Sequence, residues 1–457
     1  MTIVQSAHTT ESTVHDDSTR GPAPAAPLVL AVVGMGYVGL TLAAALADAG
    51  HIVHGVDSND AVLASLRAAQ PHIHEPGLDD VFATLTGTHI FPSRALPECP
   101  VDAVILAVST PVDPQSHEPR LENLADAAAE TARHCAPGTL VVVRSTVPIG
   151  TTRGVVLPVL REHWGEDVLL CFAPERTIQG QALRELVDLP QVVAGLDDRS
   201  ASAGVDLFRR LAKNVVRVSS IETAEMVKLA NNCHTDLIYG FGNEVALIAE
   251  QHGIDPLEVI RAANLDYPRP DLSKPGFVGG ACLTKDPYHL LHGTTQPEPF
   301  LISRARELNE YLPVHVARTV IDMIRRTRGM TEGSRLGVLG WACKGWPPTD
   351  DMRGTAIEPM IPLFREAGID VLGEDPEVRG EVIAQFGGRP VTREEAIRFS
   401  DGLLVLNDHP AYVGLDVVGI GGEHPPKFVF DAWRILDEQV LSAAGIRYAG
   451  IGYRGRA

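Results

Sequence analysis

The chain has 457 residues and a formal net charge of −19, with 45% hydrophobic and only 5% aromatic residues. That length calls for two or three domains, and the acidic surplus repels phosphate backbones and anionic lipid, so neither nucleic acid nor a membrane surface is an expected partner. Six widely spaced cysteines without a C-x-x-C pair signal neither a disulfide framework nor a metal site, and no run reaches the roughly 18 apolar residues of a membrane span, so a reducing, cytoplasmic setting is expected.

Residues 1–27 are rich in Ser, Thr, His, Asp, Pro and Ala, without periodicity or a charged-then-apolar leader pattern, and are expected to be a disordered tail. From Leu28, short β-rich apolar runs alternate with helical patterns: Leu28 to Val33, Ile52 to Val56, Val104 to Val108, Leu140 to Val143, Val168 to Phe172, Val192 to Ala194 and Val215 to Val218. This alternation predicts an α/β domain built on a doubly wound parallel sheet, ending near residue 218.

From Ile221 to His252 the strand signal disappears, and a stretch without proline carries apolar residues at helical spacing, with Gly242 its weak point. One long helix is expected there. A helix from Pro256 to Ala263, a Pro/Gly-rich loop from Tyr267 to Gly280 and further helices to about Arg328 complete a helical middle domain, 219–328. Alternation resumes at Leu336 to Leu339, Val371 to Leu372, Leu403 to Leu406, Phe428 to Phe430 and Tyr448 to Ile451, which predicts a second, smaller α/β domain, 329–457.

Gly34-Met35-Gly36-Tyr37-Val38-Gly39 follows the first strand and opens an Ala/Leu-rich helix, and Asp57 closes the next strand. Glycines permit a tight turn and close approach of a pyrophosphate to a helix N-terminus, while an acid at this distance bonds a ribose 2′-hydroxyl and repels a 2′-phosphate. NAD is the expected cofactor. Which reaction it serves does not follow from the motif.

The segment Gly279-Gly280-Ala281-Cys282-Leu283-Thr284-Lys285-Asp286 places a cysteine directly after two residues that cannot shield it. In a cationic environment such a thiol ionises near neutrality and becomes a nucleophile; most other free cysteines are small buried hydrophobes, the reading adopted for Cys99, Cys135 and Cys171. Lys228 and Asn232 lie one turn apart on the long helix, so that an ammonium and an amide can face one oxyanion, although a solvated helix surface would show the same spacing.

Together these segments resemble the UDP-glucose/GDP-mannose dehydrogenase family from about Leu28 to Ile451. The motifs run in order: the glycine turn with Asp57; Ser109-Thr110-Pro111; Ser145-Thr146-Val147-Pro148; Pro174-Glu175-Arg176; Lys228 to Asn232; G-G-x-C-x-x-K-D; and Asp350-Asp351-Met352-Arg353. The resemblance implies an NAD domain (28–218), a central domain whose long helix forms a homodimer (219–328) and a C-terminal UDP-sugar-binding domain (329–457). It implies four-electron oxidation of a sugar C6 alcohol to a carboxylate through a thioester on Cys282. Lys228 and Asn232 would stabilise the oxyanion, Asp286 would orient or deprotonate water and support Lys228, and Thr146 with Glu175 would position the attacking water. Cofactor contacts would come from the glycine turn, Asp57, Ser109, Thr110, Pro111, Ser145, Lys285 and Arg353. Substrate contacts would come from Arg176, Arg269, Phe277, Gly279, Gly280 and Lys344.

The short Pro174-Glu175-Arg176-Thr177-Ile178-Gln179-Gly180 and Arg269 resemble the N-acetylhexosamine branch, such as UDP-N-acetyl-D-mannosamine enzymes, whereas Ala281 and Lys285 look closer to the glucose type. The segment Gly345 to Thr349 is about two residues longer than is usual in the family. Alternatives are UDP-glucose or UDP-N-acetylglucosamine as substrate, a two-electron hydroxyacid dehydrogenase, which would need neither Cys282 nor a third domain, and a silent NAD- and nucleotide-sugar-binding regulator.

Overall fold

The computed structural model describes residues 26–267, 271–294 and 301–455. Arg269 and the expected tail up to residue 25 therefore lie outside the described residues. By its contacts the chain divides into two compact units, the first ending at Lys228 and the second beginning at Leu229.

The first unit is built on eight strands: β1 (Val29–Val33), β2 (Ile52–Val56), β3 (Ile90–Ser93), β4 (Ala103–Leu106), β5 (Leu140–Val143), β6 (Leu169–Phe172), β7 (Gln191–Gly195) and β8 (Val215–Arg217). They are ordered β3-β2-β1-β4-β5-β6-β7-β8. The chain reverses its direction of winding beside β1, which is the switch point where dinucleotides bind in such sheets. Alternate residues feed two cores on opposite faces: Leu30, Val32, Ile105 and Val142 pack into one, Ala31, Val104, Leu106, Val141 and Val143 into the other. Strands buried on both faces read as unbroken apolar runs, which is why β1, β4, β5 and β6 are legible in the sequence.

Two features depart from the expected sheet. β3 contains Pro92, which cannot donate to a ladder and hides the strand signal; the strand survives because it lies at the edge, paired only with β2. β7 runs antiparallel to β6, with Cys171 opposite Gly195. The connection between them carries only the seven-residue helix Ala182–Asp188, and the chain re-enters from the end at which β6 left.

The helix Ile221–His252 runs unbroken for 32 residues. It passes through Gly242, where a Cβ would sit 2.5 Å from the Ser273 carbonyl oxygen; the glycine is the place where the following loop touches the helix. The next helix, Pro256–Asn264, begins as its sequence requires, with Asp255 accepting from the Leu257 amide and Pro256 in the first turn. Helix Leu301–Arg328 leads into the second sheet.

That sheet has six strands, all parallel: β9 (Ser334–Leu339), β10 (Ile369–Glu374), β11 (Arg389–Pro390), β12 (Gly402–Val405), β13 (Phe428–Asp431) and β14 (Arg447–Ala449), in the order β11-β10-β9-β12-β13-β14. Its six places repeat the winding of the first six places of the first sheet. Leu336, Val338 and Leu404 face one core, Leu339, Leu403 and Val405 the other. β11, two residues with a proline at the edge, was invisible to periodicity. No helix among the described residues is long and apolar enough to cross a membrane.

Candidate active site

In the first unit the glycine turn is fixed by close backbone packing. Gly34 has φ of +93°, and a Cβ there would stand 2.7 Å from the Ala107 carbonyl oxygen. Gly39 packs so closely that a Cβ would reach 1.8 Å from the Gly34 carbonyl oxygen, whereas nothing lies within 4 Å of a Cβ on Gly36. The turn is thus rigid below and open above, at the N-terminus of helix Tyr37–Asp48, as pyrophosphate binding needs. Asp57 accepts from the amides of Met35 and Asn59, both at 2.8 Å. Met35 itself is buried against Gly55, which leaves only its backbone for a ligand. These residues fit NAD.

Tyr37 turns away from the open side and donates to Glu75 at 2.5 Å. Glu75 is buried and also accepts from the amides of Gly180 and Ala182, both at 2.7 Å, so one carboxylate joins the glycine turn to the segment 175–182. Burial, then the bond to Glu75, holds the Tyr37 hydroxyl far above the ordinary tyrosine range. Nothing in the periodicity announced Glu75.

Two hydroxyls tie the segments 108–110 and 145–146 together: the Thr110 hydroxyl donates to the Thr146 carbonyl at 2.5 Å and the Ser145 hydroxyl to the Val108 carbonyl at 2.6 Å, while Ser109 accepts from the Asn123 side chain. Pro111 follows directly and is exposed. Gly150 and Thr152 donate their amides to the buried Glu225 carboxylate at 2.6 and 2.9 Å, which fastens the following segment to the long helix.

Glu175 is buried. Its oxygens accept from Arg144 at 2.6 Å and from the amides of Arg176 and Thr177 at 2.7 and 2.8 Å. Burial alone would raise its pKa; the Arg144 guanidinium, the Thr177 amide and the nearby Lys228 ammonium outweigh it and hold the carboxyl below the usual range. It is therefore a fixed anion rather than a base at neutral pH. Arg144, which the sequence reading missed, is 1% exposed at the end of β5 and is also bonded to Gln191. A charge closing an apolar strand was the available signal. The Arg176 guanidinium is spent on the Pro190 carbonyl, at 2.5 Å.

In the second unit, Asp286 is fully buried and accepts from Lys285 Nζ at 2.8 Å and from the Asn232 side-chain amide. Lys285, expected at the cofactor, has its ammonium on this carboxylate. Cys282 is exposed, on the short helix Gly280–Leu283. Gly280 has φ of +88° and donates to the Arg353 carbonyl at 2.9 Å, while a Cβ on Gly279 would stand 2.3 Å from the Gly354 carbonyl oxygen; only glycines let these strands of chain meet. The meeting brings Arg353 to the cysteine. Its guanidinium is held bidentately by Asp351 at 2.8 and 2.7 Å, and that bond raises its pKa. Cys343 is pushed up to about 12 by burial.

Phe277 packs against the second unit's core, and Lys344 opens the long 345–349 segment. There Gly345 lies against the backbone of residues 408 and 409, and Trp346 is exposed.

Models of the UDP-glucose/GDP-mannose dehydrogenase family match this chain three times: the NAD binding domain over residues 29–213, the central domain over 222–311 and the UDP binding domain over 337–438. The chain is 31% identical to a UDP-N-acetyl-D-mannosamine dehydrogenase of Pyrococcus horikoshii, over 93% of this chain and 99% of that one. A solved structure of a UDP-D-ManNAc dehydrogenase from the same organism superposes with a TM-score of 0.83 at 30% identity, covering 94% of this chain and 100% of its own. A UDP-glucose dehydrogenase from Pyrobaculum islandicum follows at 0.81 and 29%, covering 95% and 100%. The chain belongs to the UDP-glucose/GDP-mannose dehydrogenase family and is an NAD-dependent nucleotide-sugar dehydrogenase.

Proposed function

We propose that this enzyme oxidises UDP-N-acetyl-D-mannosamine at C6 to UDP-N-acetyl-D-mannosaminuronate, with Cys282 as covalent nucleophile. The supporting observation is the exposed thiol on a glycine-opened turn beside Arg353. The sugar is proposed from the likeness to UDP-N-acetyl-D-mannosamine dehydrogenases over most of the chain and from the short 174–180 segment.

When bound, NAD supplies the hydride acceptor for both oxidations. The C6 hydroxyl loses a proton and C6 a hydride, giving an aldehyde. The Cys282 thiolate adds to the aldehyde carbon, forming a C–S bond and a hemithioacetal alkoxide, which Lys228 and Asn232 stabilise. Loss of the remaining C6 hydrogen as hydride leaves a thioester. Water adds to the carbonyl; Asp286 receives its proton, the C–S bond breaks and the thiolate returns as the acid leaves. Asp286 also aligns the Asn232 amide and holds Lys285. Two hydrides leave per sugar, and the aldehyde stays on the enzyme. The reading places the protein in the cytoplasm, with its nucleotide-sugar donors.

The test is turnover of UDP-N-acetyl-D-mannosamine, UDP-glucose, UDP-N-acetylglucosamine and GDP-mannose with NAD, with products identified by mass. Two NADH per UDP-N-acetyl-D-mannosamine are expected; a higher kcat/KM on UDP-glucose would replace the sugar, and one NADH per sugar would refute the four-electron reading. Cys282→Ser should accumulate a sugar-nucleotide ester and Cys282→Ala should gain no mass, whereas acid formation by Cys282→Ala at near the parent rate refutes the nucleophile.

A further inference from the structure

A continuous chain of buried side chains joins both ends of the loop that carries Cys282. At one end the Gly276 amide donates to Asn243 Oδ1 at 2.8 Å. Asn243 Nδ2 donates to Asn309 Oδ1 at 2.9 Å, and Asn309 Nδ2 donates to Asp236 Oδ1 at 2.9 Å. Asp236 Oδ1 accepts from Arg306 Nη1 at 2.7 Å, and the same nitrogen donates to the Leu283 carbonyl at 2.9 Å, one residue past Cys282. None of the four side chains is more than 2% exposed. Asp236 and Asn243 stand two turns apart on one face of helix Ile221–His252; Arg306 and Asn309 stand one turn apart on helix Leu301–Arg328.

We propose that Asp236, Asn243, Arg306 and Asn309 act as one positioning network that fixes the 276–283 loop, and with it the Cys282 sulfur, against two long helices. A loop of glycines has little rigidity of its own, because each glycine loses the most conformational freedom on ordering. Gly276 and Gly279 are needed for close contacts and Gly280 for its positive φ, so the stiffness that catalysis demands comes from outside the loop. Stability alone does not account for the arrangement. A buried ion pair is often matched or exceeded by apolar side chains of similar volume, and Asp236 Oδ2 has no hydrogen-bond partner among the described residues. A network that leaves an acceptor unsatisfied yet grips a loop at both ends suits orientation better than cohesion.

The inference rests on Cys282 being the nucleophile, and the experiment separates the two. Asn309 touches neither end of the loop, so Asn309→Leu cuts the network without removing a loop contact; Asn309→Ser makes the same cut with a smaller folding risk. In the full-length protein with NAD and UDP-N-acetyl-D-mannosamine, kcat should fall about tenfold to a hundredfold with both KM values kept. Without substrate, the rate of Cys282 alkylation by iodoacetamide, read on its peptide by mass spectrometry, should change severalfold while the melting temperature of the Ser variant holds. Unchanged kcat and unchanged alkylation in a folded variant overturn the network. If Cys282→Ala still makes acid while alkylation shifts in Asn309→Ser, the nucleophile reading fails and the positioning of the loop stands.

Discussion

The backbone amide of Met35 donates to Asp57 at 2.8 Å, and the amide of Trp341 donates to Asp375 at 2.6 Å in the same position of the second sheet. In both, a glycine of positive φ ends the first strand, at Gly34 and Gly340, and its amide bonds the last residue of the second strand, Val56 or Glu374. Each acid also caps its own turn, through Asn59 or Glu377 two residues on. The acid after the second strand is thus a structural lock in both sheets, and for Asp57 the expected role in cofactor recognition comes in addition.

Asp57→Asn keeps an acceptor for the Met35 amide but drops the charge that repels a 2′-phosphate. The NAD to NADP ratio of kcat/KM should fall about tenfold or more, since a desolvated charge contact is worth a few kcal/mol, with little loss of melting temperature. Asp57→Ala should lose both. Initial rates with each cofactor check this, and equal efficiency with both in the unaltered enzyme would contradict it.

The glycines of the turn should separate by function. Gly39→Ala drives a methyl into the Gly34 carbonyl and should cost folding, read as loss of soluble protein or of a cooperative melt. Gly36→Ala meets no atom of the protein and should fold normally while losing NAD affinity, measured by calorimetry.

Glu175→Gln leaves Arg144 buried beside a neutral amide, and breaking such a pair typically costs about 3–5 kcal/mol. The pH dependence has a definite sign. The Glu175 carboxyl is held below its ordinary 4.5, so its stabilisation is complete above that value and is lost as pH falls toward the lower native pKa. The melting temperature of the unaltered enzyme should drop below about pH 4.5 more steeply than that of Glu175→Gln, and parallel acid profiles would exclude the effect.

Helix Ile221–His252 exposes Met226, Ile238, Tyr239, Phe241 and Ile248, each at least 38% accessible in the single chain. That much apolar surface on one rod favours association, and we expect a homodimer or a multiple of it. Light scattering at micromolar protein should give at least twice the chain mass, and Phe241→Glu should shift it toward the monomer.

The sequence revealed every strand except the two edge strands β3 and β11, most plainly the unbroken apolar runs of β1 and β4 to β6, together with the glycine turn, whose spacing is local. Asp286 and Asn232 were named from motifs 54 residues apart, and the structure joins them directly. Arg144, Glu75 and the Asp236 to Asn309 network were not legible, because each is a polar group whose partners come from distant segments and periodicity records only apolar burial. Pro92 and Pro390 concealed edge strands for the reason that makes proline rare in interior ones.

Glu75 accepts from Tyr37 and from the amides of Gly180 and Ala182, two donors in the segment that follows Glu175. Hydrogen exchange at Gly180 and Ala182 should accordingly be slow for residues on a connecting segment. It should slow further when dinucleotide stiffens the turn at Tyr37, even in the absence of any sugar, so that two amides remote from the pyrophosphate become reporters of cofactor occupancy.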